Sequence, residues 1–66
     1  MQVGSKFRPS WIIKNHLVKY YGFPETVIGT VTEMNDVTAT VQFVHEGLTA
    51  NIAVYLDELN ESGAIV

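Results

Sequence analysis

Between Thr26 and Val44 the chain crowds β-branched side chains: Thr26, Val27, Ile28, Thr30, Val31 and Thr32, then Val37, Thr38, Thr40, Val41 and Val44. Branching at Cβ restricts χ1 against a helical backbone and suits a pleated strand, so this stretch is predicted to be two strands. Met34-Asn35-Asp36 separates the two runs, and Asn and Asp tolerate the left-handed backbone that tight hairpin turns use. In the second run Val37, Ala39, Val41 and Phe43 alternate with Thr38, Thr40 and Gln42, which predicts one core face and one wet face. Glu46-Gly47 reads as a second turn. Beyond it Leu48, Ala50, Ile52 and Val54 alternate with Thr49, Asn51 and Ala53, a third strand of a meander.

The ends of the chain supply what a small sheet still lacks. Val3 to Arg8, with Phe7, can open the sheet; Leu56 and Leu59, three apart, match one turn of 3₁₀ helix. Asn60-Glu61 or Ala64-Ile65-Val66 can close it. The expected core is Phe7, Val31, Val41, Phe43, Ile52, Leu56 and Leu59, and Gly29 is expected to mark a sharp corner. The segment from Pro9 to Glu25 is expected to be a long loop rich in aromatics. Locally it also admits a helix, since Trp11, Ile12, Leu17 and Val18 fall near a 3.6-residue period.

These features occur in an order that resembles SH3-like barrels. Five short strands, a long loop after the first, a strand opening on Gly-x-Val and a 3₁₀ turn before the last carry the likeness. It rests on Gly4-Ser5-Lys6-Phe7-Arg8, Gly29-Thr30-Val31, Val41-Gln42-Phe43 and Leu56-Asp57-Glu58-Leu59. The arrangement is similar to the E subunit of photosystem I, to the β-subunit barrel of nitrile hydratase and to KOW-type ribosomal and transcription-factor modules. Tyr21-Gly22-Phe23-Pro24 is also similar to small SH3-like proteins encoded by prophages. The resemblance implies an all-β, five-stranded SH3-like barrel over residues 1–66. It implies binding rather than catalysis, because the metal ligands of nitrile hydratase belong to another subunit.

Composition narrows the chemistry. A single domain of 66 residues without cysteine has no disulfide framework and no thiolate metal site, which fits a reducing, cytoplasmic setting. No stretch approaches the ~20 consecutive apolar residues of a membrane span, and no signal-peptide pattern opens the chain. His16 and His45 are too far apart for a metal-ligand motif, so no metal or cofactor is expected. Ser10, His16 and Asp36 match a catalytic triad in type only, and Asp57-Glu58 would point apart on a 3₁₀ turn. Gly22 and Gly29 do not form a phosphate-binding loop. A barrel this small has no interior for a ligand pocket of about 300 Å³ or more.

The charges are sorted along the chain. Lys6, Arg8, Lys14 and Lys19 precede residue 20, and all seven acids follow it, for a net charge of −3. The stretch from Phe7 to Phe23 therefore joins Arg8, Lys14 and Lys19 to Trp11, Tyr20 and Tyr21, residue types that dominate interface energetics. Arg8, Trp11, Lys14, Lys19, Tyr20 and Tyr21 are the expected contact face for a protein partner or a second copy. Trp11 and Phe23 could instead cap an open barrel end. Thr-rich outer faces and open strand edges offer a second route to pairing with another chain. The expected function is a small non-enzymatic protein-interaction or adaptor module, accessory to a phage or prophage as the resemblance has it. The alternative is a KOW-like RNA- or DNA-binding module using residues 7–23, which the excess of acids opposes at long range.

Overall fold

In the computed structural model, which describes residues 2–58 and 62–66, the chain is mostly β with one short helix. The elements are β1 (Lys6–Pro9), α1 (Trp11–Tyr21), β2 (Gly29–Met34), β3 (Thr38–His45), β4 (Leu48–Tyr55), a 3₁₀ turn (Leu56–Glu58) and β5 (Gly63–Ile65). They make one antiparallel five-stranded sheet in the order β4-β3-β2-β1-β5. Among the described residues the sheet is not closed: β4 and β5 lie at its edges.

The meander follows the predicted alternation. Ala39, Val41 and Phe43 of β3 and Ala50 and Val54 of β4 are buried on one face, with Val31 of β2 and Phe7 of β1. Thr38, Thr40 and Gln42 take the other face. Val37 and Leu48, at the ends of the same alternation, are exposed. Of the expected core, Phe7, Val31, Val41 and Phe43 are buried, Ile52 and Leu56 pack on its margin half-buried, and Leu59 lies outside the described residues. Leu17, Phe23 and Val27 complete the core from α1 and the segment after it.

The two hairpin turns use different chemistry. Glu46 and Gly47 both have positive φ (49° and 83°), the geometry of a two-residue turn that matches strand twist, and His45 pairs with Leu48 across it. Contrary to expectation, Asn35 and Asp36 are not left-handed. Asn35 shapes the first turn through its side chain, whose Oδ1 accepts from the Val37 and Thr38 amides at 2.8 Å each and from Thr38 Oγ1 at 3.4 Å. Asn35→Ala should therefore cost about 1 kcal/mol and lower the melting midpoint by about 4–8 °C, whereas Asp36→Ala should leave it unchanged. Equal midpoints for the two variants in circular dichroism melts would count against this assignment.

Two further expectations are corrected. Residues 9–25 are not one long loop: eleven of them form α1. No Gly or Pro interrupts Trp11–Tyr21, and Leu17 seats in the core. Gly22 ends the helix in the left-handed conformation (φ 71°), its amide and that of Phe23 returning to Val18 and Leu17. Gly29 is set by packing and not by an unusual backbone conformation. Its φ is ordinary, and a Cβ there would collide with Val41 Cγ1 and lie 2.8 Å from Phe43 Cε1. The position is small because two core side chains occupy its space.

Candidate functional site

Of the eleven residues of α1 only Leu17 is buried, with Ile13 and Lys14 half-buried beside it. A helix turns about 100° per residue, so most of this one faces away from the sheet. Trp11 and Val18, seven apart, lie along one outward line with Asn15 next to it; Ile12 and Lys19 lie along a neighbouring line. Trp11 is 68% exposed, Ile12 60% and Tyr20 66%. The helix is present, but of the four residues read as its apolar period only Leu17 is buried, and Trp11, Ile12 and Val18 are exposed.

The six expected contact residues divide between two surfaces. Arg8, at the end of β1, and Lys14, on the first turns of α1, line one cleft of about 370 Å³ with Pro9, Glu25, Thr26, Val27 and Ile28. A void of that size was not expected, and it arises outside the core, where α1 and the 25–28 segment flank the end of β1. Tyr20 and Lys19 belong to the other end of the helix, where the Lys19 ammonium lies 5.4 Å from the Tyr20 ring centre. Trp11 sits on the outward line between them. Tyr21 is turned partly inward, its ring 5.4 Å from that of Phe23. Phe23 is buried and caps the core, whereas Trp11 does not.

Sequence reasoning missed His16, Ile12 and Val18 as members of this surface. His16 stacks beside Tyr20 at 4.8 Å and Tyr21 at 6.0 Å, and Phe23 meets His45 at 6.2 Å. A row of rings thus runs Tyr20, His16, Tyr21, Phe23, His45 from the helix to the β3–β4 turn. The i, i+4 spacing of His16 and Tyr20 is the signal that finds their contact once a helix is assumed.

The sorting of charge survives folding in part. All four cations lie on β1 and α1, while Glu33 and Asp36 mark one end of the meander, Glu46 the other and Asp57 the 3₁₀ turn. His45 Nε2 lies 3.8 Å from Glu46 Oε1, and among the described residues the lysines and Arg8 have no carboxylate within 4.0 Å. Lys6 donates instead to Thr30 Oγ1 at 3.0 Å. No His, Asp or Glu side chains gather in threes among the described residues, and no helix is long and apolar enough to cross a membrane. No protein-family model, curated protein or solved structure matches this chain.

Proposed function

We propose that this chain is a small non-enzymatic module that binds another protein through the outward face of α1. The observation that carries this reading is the exposure of Trp11, Ile12 and Tyr20 on a helix that commits one residue to the core. Scattered apolar residues are normal on any surface, but here they recur along a single helix, and Trp and Tyr are among the residue types enriched at interface hot spots. Arg8 and Lys14 extend that surface into the neighbouring cleft. We read the sheet as an SH3-like fold, in which α1 replaces the expected loop after β1. The strand order, the pairing of β1 with β5 and the 3₁₀ turn ahead of β5 support this. The cysteine-free composition supports a cytoplasmic setting.

A photoreactive residue at position 11 tests the reading. In the native host it should give one dominant protein adduct, which Ile12→Ala and Tyr20→Ala weaken without lowering the melting midpoint; the same probe at Thr32, exposed on β2, should not give it. Identical adducts from positions 11 and 32 would count against the helix face. The cations do not form one continuous track, so filter binding at low salt should retain no RNA. Retention that falls steeply with added salt would favour nucleic-acid binding instead.

A further inference from the structure

We propose that β4 is a docking edge for an extended segment of another protein, one that carries basic residues at both ends of an uncharged stretch. This surface differs from the face of α1, and neither proposal requires the other. β4 pairs with β3 along all eight of its residues and, among the described residues, has no partner strand on its far side. The hydrogen-bonding pattern gives the direction of each backbone group. The Leu56 amide donates to the Val37 carbonyl at 2.9 Å, so in alternation the pairs Ala39–Val54, Val41–Ile52, Phe43–Ala50 and His45–Leu48 exchange bonds across the hairpin. The amides and carbonyls of Thr49, Asn51, Ala53 and Tyr55 then point outward, away from β3.

Exposed edges are usually blunted by a charged side chain, a proline, a bulge or brevity. β4 lacks all four: Leu48–Tyr55 contains no charge and no proline, is eight residues long, and pairs with β3 without interruption; α1 approaches β4, but Thr49, Asn51, Ala53 and Tyr55 stay exposed. The opposite edge, β5, is three residues long. What β4 does have is an acid beyond each end, Glu46 in the turn before it and Asp57 in the 3₁₀ turn after it, both exposed. Two copies paired antiparallel along this edge would set Glu46 of one beside Asp57 of the other, at both ends of the joint. The acids therefore oppose self-pairing and favour an added strand with cations at its ends, while the outward backbone groups supply the hydrogen bonds.

The test uses the intact protein and a synthetic peptide of alternating threonine and valine with lysine pairs at both ends. With peptide at about ten times its Kd, amide hydrogen exchange at Thr49, Asn51, Ala53 and Tyr55 should slow about tenfold. Glutamate pairs at the ends should weaken binding about fivefold to tenfold, and N-methylation of alternate peptide amides should abolish it. Ala53→Pro removes an outward donor and should also abolish binding; the N-methylated peptide makes the same point on the unaltered protein. Equal binding of the lysine- and glutamate-ended peptides, undiminished binding of the N-methylated one, or no slowing with any peptide would overturn the proposal. So would protection of the same four amides in the free protein that rises with its own concentration, which would assign the edge to a second copy.

Discussion

Phe43→Ala should leave the protein unfolded at room temperature. Phe43 is fully buried in β3, flanked by β2 and β4, with its ring edge-on to Phe7 at 6.4 Å. Its cross-strand neighbour on β4 is Ala50, too short to enter the space a truncation would leave. Large-to-small changes of this kind cost about 3–5 kcal/mol when the cavity cannot collapse. A domain of this length has roughly 3 to 10 kcal/mol in total, so the loss is comparable with the whole. The adjacent Val44 points to the opposite face and is exposed, so Val44→Ala should stay within about 0.5 kcal/mol of the parent. Circular dichroism melts of both variants provide the check. A cooperative transition for Phe43→Ala at the parental midpoint would show that the buried face of β3 is wrongly assigned.

Gly29→Ala should be the next most damaging change, at about 1–3 kcal/mol, because its new methyl group meets Val41 and Phe43 inside the core. Gly29 is buried at the start of β2, opposite Phe7. Its backbone conformation is one any residue adopts, so space alone sets the cost. That gives the prediction a second arm. Val41→Ala removes the nearer obstacle, Cγ1, and leaves the Phe43 ring edge to give way, so the double variant should be more stable than the two single losses imply, with a coupling of about 0.5–3 kcal/mol. Denaturant unfolding of the four proteins measures it. Strict additivity would mean that Gly29 serves the backbone and not the packing.

The period-2 alternation made the meander legible. Apolar and polar residues alternate from Thr38 to Phe43 and from Leu48 to Ile52, and the residues buried in β3 and β4 are Ala39, Val41, Phe43, Ala50 and Val54. α1 was harder to read because a helix that buries only Leu17 leaves almost no amphipathic signature; the glycine that ends it, Gly22, carries the clearest local signal. The roles of Asn35 and Gly29 depend on a side-chain acceptor and on neighbours from other strands, which local spacing does not reveal. At the candidate site the residue types were legible and their arrangement was not. Trp11 and Tyr20 do face solvent, but Arg8 and Lys14 belong to a cleft that exists only once β1, α1 and residues 25–28 are brought together. The open edge of β4 is likewise a property of strand order. Its lack of charge was visible in the sequence; its lack of a partner was not.

Trp11 is the sole tryptophan, so its fluorescence reports the outward face of α1 directly. In the isolated protein at low concentration its emission should be that of a solvated indole, quenched by acrylamide almost as readily as free tryptophan and unchanged in Leu48→Ser. On binding the partner captured through position 11, the emission should shift to the blue and quenching should fall. Blue-shifted, quencher-resistant emission from the isolated folded monomer would mean that α1 turns Trp11 inward, and the interaction surface described above would not exist.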